Sequence, residues 1–205
     1  MFHDRLSPEP LLPPGLRIGI ALCGSFCTFD TVLREIDSLV KQGGDVTPIL
    51  SFNVASTDTR FGTAATLAER LEDMTGHPPW CTLCAVEPIG PAGLLDILAV
   101  APCTGTTLAR LAAGLSDTPV TLAVKSHLRA LRPVVLAVST NDALGTSMRN
   151  IAQLMNTKRI YFVPLRQDDP RGKPASLVAR FEMLPATIAA ALKGEQLQPV
   201  FGSCP

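Results

Sequence analysis

Short apolar runs alternate with stretches of helical periodicity along almost the whole chain, and this alternation limits the possible folds more than any other feature. The runs are Leu16–Leu22 (LRIGIAL), Val46–Leu50, Leu95–Ala101 (LDILAVA), Pro133–Val138 (PVVLAV) and Arg159–Val163 (RIYFV). They are apolar throughout rather than at every second residue, which is the pattern of strands buried on both faces in a parallel sheet. Between them, Thr28–Lys41 sets Val32, Leu33, Ile36, Leu39 and Val40 at helical spacing, with Thr28 or Asp30 as cap and Gly43–Gly44 as stop. Ala64–Met74, Cys103–Ala113, Val120–Leu131 and Met148–Met155 read as further helices, and Ala175–Lys193 as a closing helix that Pro185 kinks or splits. Cys81–Val86 reads as a strand. The expected architecture is a three-layer, Rossmann-like α/β domain with a mostly parallel sheet and right-handed crossovers. Residues 1–14, with four prolines, read as an extended lead, and residues 15–205 as one domain.

Composition removes several classes of function. Lys+Arg and Asp+Glu both number 18, so no basic surface for nucleic acid or an anionic membrane is expected. One Trp and one Tyr are too few for a base-stacking platform. No apolar stretch approaches the roughly 20 residues of a membrane span. The charged, Pro-rich opening lacks the apolar core of a signal peptide, so the cytosol is the expected compartment and the six scattered cysteines should stay reduced.

In a parallel α/β sheet, ligands bind beyond the carboxyl ends of the strands, near the reversal of strand order. Four such ends are polar here. The first strand runs into Cys23-Gly24-Ser25, where Gly24 allows close backbone approach and Ser25 offers a hydroxyl beside the free N–H groups of a helix start. The second ends in Ser51-Phe52-Asn53, where Ser51 suits either a phosphate or a helix cap. The loop Thr57–Gly62 (TDTRFG) carries Arg60, which is either solvated or a clamp for phosphate or carboxylate. The third strand passes through Pro102 into Thr104-Gly105-Thr106-Thr107, with more hydroxyls than capping requires. The fourth ends in Ser139-Thr140-Asn141-Asp142. Four polar ends in one sheet point to a single crevice for a phosphate-bearing cofactor.

These segments, in this order, resemble the flavoprotein superfamily of homo-oligomeric flavin-containing Cys decarboxylases, and within it the dipicolinate synthase B subunits of spore-forming bacteria. The resemblance covers about residues 15–201 and is carried by GLRIGIALCGSFCTFD, TDTRFG, VEPIGP, VAPCTGTTLARLA, RPVVLAVSTNDALG, NTKRIYFVPLRQDDP, KPASLVAR and LQPVF. It implies a flavodoxin-like domain, assembled as trimers or multiples of trimers. It implies FMN held by Gly24, Ser25, Ser51, Asn53, Pro102, Thr104, Thr106, Thr107 and Ser139. It also implies a dehydrogenase-like A subunit that brings NAD(P), and a hydroxy-tetrahydrodipicolinate precursor converted to pyridine-2,6-dicarboxylate in the mother cell during sporulation. Two positions depart from the decarboxylases. Pro88 stands where they carry a His, and Thr106 where they carry an Asn, so neither the proton transfer nor the amide contact is provided for. Thr106 also departs from the Asn or Ser of the B subunits themselves.

The small dicarboxylate substrate calls for basic groups. Arg60 is the first candidate, with Lys125 and Arg129 after it, and Asn141 and Asp142 are candidates to orient substrate or act as acid–base groups. Other chemistries find less support. Cys81-x-x-Cys84 lacks a second pair of metal ligands at zinc spacing, and a redox pair would need a helix start rather than a strand. Cys103, beside the crevice, suits a small buried residue. His3, His77 and His127 have no evident Ser or Cys partner for a hydrolytic triad.

Overall fold

The computed structural model describes residues 11–202. Its parallel strands are β1 (Arg17–Leu22), β2 (Asp45–Leu50), β3 (Ile97–Cys103), β4 (Val134–Thr140) and β5 (Ile160–Phe162), in the spatial order 2-1-3-4-5. This is the flavodoxin-like order. The chain leaves β1 through α1 (Phe29–Lys41) to reach β2 on one side, then returns past β1 to place β3 on the other. Strand order therefore reverses between β1 and β3.

The apolar runs form buried strands as their composition requires. All of β3 is buried, and β1 from Ile18 onward is buried as well. Gly19 on β1 is required by crowding, because a Cβ there would stand 2.5 Å from Leu95 Cδ1 and 2.8 Å from Leu98 Cδ1. α1 buries Phe29, Val32, Leu33, Ile36 and Leu39, one continuous stripe. Each such side chain contributes about 1.5–3 kcal/mol by leaving water. α8 (Leu184–Leu192) packs with α1, whereas α6 (Pro119–Arg129) covers β3 and β4 and packs against the short α4 (Leu83–Val86). Between these lie α2 (Phe52–Ser56), α3 (Ala64–Thr75), α5 (Gly105–Ala112) and α7 (Met148–Met155).

Several expectations need correction. Cys81–Val86 is not a strand, because Thr82 accepts the Ala85 N–H at 3.2 Å and caps α4. Ala175–Lys193 is not one helix. Its first part is a strand, β7 (Leu177–Ala179), paired antiparallel with β6 (Leu165–Arg166) and with the end of β4 at Ser139 and Thr140. Pro185 then lies in the first turn of α8, where its missing N–H costs nothing. Residues 1–10 lie outside the described residues. Leu12 is only 1% exposed, so the core already includes chain ahead of Gly15. The tail also takes part: Leu165 N–H donates to the Val200 carbonyl at 2.7 Å.

His127 on α6 is fully buried, and neither ring nitrogen has a hydrogen-bond partner. Burial, reinforced by the nearby Arg132 charge, lowers its pKa to about 4, with the Pro133 backbone and the Asp96 charge opposing. In the unfolded chain its pKa is about 6.5. The unfolded state therefore binds the extra proton first, and stability is lost as pH falls from about 6.5 towards 4, by up to about 3 kcal/mol. Urea midpoints measured from pH 7 to pH 4 should show this fall. His127→Leu should flatten it, and an unchanged slope would remove His127 as its source.

Candidate functional site

The strand ends enclose one cleft of about 970 Å³ at the β1/β3 reversal. Of the residues expected there, Gly24, Ser25, Ser51, Asn53, Arg60, Thr104, Thr106, Thr107, Ser139, Asn141 and Asp142 all line it. Pro102 does not: it is buried within β3, and its carbonyl accepts the Cys23 N–H at 3.2 Å. It joins two strand ends and offers no atom to the cleft. The β3–β4 register shifts between Val100 and Cys103. A strand residue without an N–H fits such an irregularity, and the shift helps aim Thr104 outward.

Each end has a distinct hydrogen-bond state. Ser25 Oγ lies 2.9 Å from Ser139 Oγ, which ties the end of β1 to the end of β4 across β3. Thr104 caps α5, accepting the Thr107 N–H at 3.4 Å. Thr107 Oγ1 donates to Cys23 Sγ at 3.2 Å and lies 3.1 Å from Thr104 Oγ1. Of the three threonines, Thr106 alone is exposed. Ser51 differs from all of these. It precedes α2 but does not cap it, and its buried hydroxyl has no partner. An unpaired buried hydroxyl costs about 1–3 kcal/mol. The helix-cap reading of Ser51 is therefore overturned, and its free hydroxyl suits a ligand oxygen.

At the end of β4, Thr140 Oγ1 and Ser147 Oγ donate to Asp142 Oδ1 at 2.6 and 2.8 Å. These two bonds hold the Asp142 carboxyl below its usual pKa. Asp142 is thus an ionised acceptor and no proton donor at neutral pH. Gly105 opens α5 directly against this group, and a Cβ there would lie 2.7 Å from Thr140 Oγ1 and 2.9 Å from Ser147 Oγ. The absent side chain lets the start of α5 pack directly against Thr140, Asp142 and Ser147, and backbone N–H groups at a helix start suit anionic oxygen.

The two buried thiols at the base of the cleft, Cys23 and Cys103, stay protonated. Burial raises Cys23 to about 11 against the opposing Thr107 hydrogen bond, and burial pushes Cys103 well above its ordinary value, with Cys23 adding to this. Cys81 and Cys84 do flank a helix start, contrary to the strand expectation. Even so, burial raises the Cys81 thiol, which donates to the Pro79 carbonyl at 3.2 Å, and this opposes thiolate formation.

Arg60 and Phe61 form the tip of a tight turn closed by two Thr59–Gly62 backbone bonds, with the guanidinium 4.8 Å from the Phe61 ring centroid. Lys125 and Arg129 do not line the cleft; Lys125 turns to Ser116 Oγ at 3.3 Å. Sequence reasoning missed Arg110, Arg149 and Lys173, which do line it, as do Asp168, Ser176 and Val178 of the β6–β7 hairpin. The only signal for Arg110 was its place four residues after Thr106 on the same helical face.

Four likenesses place the chain among known proteins. The Flavoprotein family model matches residues 7–186. The dipicolinate synthase B subunit of Bacillus subtilis (strain 168) is 47% identical over 186 residues, covering 91% of this chain and 93% of the relative. The crystal structure of the dipicolinate synthase B subunit from Bacillus halodurans C superposes with a TM-score of 0.85 at 44% identity, covering 93% of this chain and 97% of that one. Burkholderia xenovorans DmrB in complex with FMN shares the fold, with a TM-score of 0.66 at 17% identity over 89% of this chain and 98% of that one.

The close contact at Gly105 can be tested by adding a methyl group. Gly105→Ala should lower the thermal midpoint by the equivalent of about 1–3 kcal/mol, as overpacking does. Gly105→Ala/Thr140→Ser, which removes only the threonine methyl, should leave the loss in place, since the hydroxyl oxygen is the atom struck. Recovery in the double variant would argue against this contact.

Proposed function

The chain belongs to the Flavoprotein family and, within it, to the dipicolinate synthase B subunits, and from that membership we propose that it holds FMN in the β1/β3 cleft. In this reading it works with a dehydrogenase-like A subunit to make dipicolinate. The observation that carries the reading is the unpartnered, buried Ser51 hydroxyl at the switch in strand order. The cleft volume lies within the ordinary range for a cofactor site, about 300–1,000 Å³.

The residues fit the proposed group. Ser51, with the N–H groups at the Gly105 start of α5, would hold the phosphate. Thr106, Ser25 and Ser139 would meet the polar edge and the chain that links ring to phosphate. Bound there, FMN supplies a two-electron acceptor; NAD(P) would enter through the A subunit. The proposed reaction takes a hydroxy-tetrahydrodipicolinate, loses water to give a dihydropyridine dicarboxylate, and then loses a hydride and a proton to give the aromatic diacid. In the cell this belongs to the mother cell during sporulation, and the assembly would be a trimer or a multiple of trimers.

What this chain contributes is binding, orientation and charge. Arg60, on a solvent-facing turn at the mouth, would pair with a substrate carboxylate. Asn141 lines the β4 side of the cleft without a hydrogen bond of its own and is free to donate to substrate. Asp142, held ionised, would accept a hydrogen bond from a substrate N–H or O–H rather than deliver a proton. Among the described residues no histidine lines the cleft. Together with Pro88 and Thr106 at the decarboxylase positions, this favours redox work over decarboxylation of a cysteine.

Ser51→Ala offers a two-sided test. The ligand-free protein should keep or slightly gain stability, because the change removes an unpaired hydroxyl, while FMN affinity measured by fluorescence quenching should drop about tenfold or more. Loss of stability with FMN affinity intact would reject the reading of Ser51. For the substrate, Arg60→Ala should raise KM for the precursor about tenfold in the reconstituted two-subunit reaction without releasing flavin. Unchanged kinetics would take Arg60 out of the site. A wild-type protein that fails to retain FMN on gel filtration, yet still stimulates the A subunit, would instead indicate a non-catalytic scaffold.

A further inference from the structure

We infer that Arg149, on the first turn of α7 with Asn150 beside it, is a second carboxylate-binding arm of the cleft, facing Arg60 across it. This rests on the reading that the cleft takes a small dicarboxylate.

Four basic side chains line the cleft: Arg60, Arg110, Arg149 and Lys173. Two are already engaged. Lys173 Nζ lies 3.5 Å from Asp168, and Arg110 Nε lies 3.4 Å from Asp117. Among the described residues, Arg60 and Arg149 have no acidic partner within ion-pair distance. Asp142 is the carboxylate of the same strand-end loop, and its Oδ1 is taken by the Thr140 and Ser147 hydroxyls.

The placement of the two free guanidiniums follows from topology. Arg60 comes after β2 and Arg149 after β4, and the order β2-β1-β3-β4 puts the crevice between them. Three interstrand spacings separate their strands, roughly 14 Å. Two long side chains on these flanks suit a ligand that carries two carboxylates on one ring. A single cation would suit a monoacid as well as a diacid. Planar guanidinium groups also match carboxylates two bonds at a time.

Arg149 has room to swing to this position. It lies where the cleft continues into a groove between α5 and α7, lined by Thr106, Arg110, Asn150 and Gln153. Gln153 Nε2 donates to the Ala112 carbonyl at 2.6 Å and closes the far end. Asn150 is half-buried on the same turn and can add an amide donor to whatever Arg149 holds.

The test uses the FMN-loaded chain together with the dehydrogenase-like subunit, titrated calorimetrically with pyridine-2,6-dicarboxylate and with pyridine-2-carboxylate. Wild type should prefer the diacid. Arg149→Gln should weaken the diacid about tenfold or more and barely change the monoacid, with FMN affinity and assembled mass unaltered. Arg149→Lys should recover part of the loss. Equal diacid affinity in wild type and Arg149→Gln would overturn the inference while leaving the dicarboxylate reading intact. Loss of FMN would assign Arg149 to the phosphate instead, and a change in assembled mass would assign it to a contact between copies; either overturns the inference. Failure of wild type to bind the diacid would reject the dicarboxylate reading itself.

Discussion

A single backbone hydrogen bond, from the Cys23 N–H to the Pro102 carbonyl at 3.2 Å, fixes the place where the site can exist. It joins the ends of β1 and β3, the two strands from which the chain departs in opposite directions. Because those departures diverge, no connection covers the gap above this bond. Around it the other constraints follow: Thr107 bonds back to Cys23 Sγ, Thr104 caps α5, and Ser25 reaches over β3 to Ser139. Gly19, lower on β1, makes room for the Leu95 and Leu98 side chains beside the same two strands. The cleft is thus a consequence of topology, and the polar side chains specialise it.

The parallel strands were legible because burial on both faces leaves an uninterrupted apolar run, and β3 carries seven buried residues in succession. The positions of Ser25, Ser51, Thr104 and Asp142 followed, since each comes directly after such a run. The β6–β7 hairpin was not legible. Its strands are two and three residues long, too short for any period to show, and they gain their partners from the end of β4 and from the tail at Val200. The Ala- and Leu-rich residues after Arg180 gave a helical signal that masked the strand before them. α4 was missed for a related reason: four residues with a Thr cap read equally well as extended chain. Arg149 escaped notice because helical residues beyond a strand end project by packing, and α7 meets α5 only in the fold.

The electrostatic character of the cleft narrows its chemistry. Buried thiols at Cys23 and Cys103 stay protonated, so the sulfur at the base of the site is packing and hydrogen-bond acceptor rather than nucleophile. Asp142 stays ionised because two hydroxyls serve its charged form. The basic groups stand at the flanks and the hydroxyls at the centre. A ligand with a polar, oxygen-rich middle region and anionic groups at its margins meets this arrangement better than a cationic or wholly apolar one. Among the described residues, the same distribution leaves no neutral acid in the centre, which is consistent with proton movements being delivered by substrate, solvent or cofactor.

In the proposed reading, Ser51 sets the stability of the fold against binding in the cleft. Its N–H is satisfied by the Leu22 carbonyl at 3.1 Å, so the backbone is committed to the sheet edge, and the side chain alone is left without a partner. An Ala there would be easier to fold, by about the cost of one unsatisfied hydroxyl. A ligand oxygen that accepts from Ser51 removes that cost only in the bound state. Binding energy and folding energy are then linked, because a ligand that recognises the folded state alone adds stability in proportion to its occupancy. In the proposed reading, Ser51 thus gives up folding stability for affinity at the cleft.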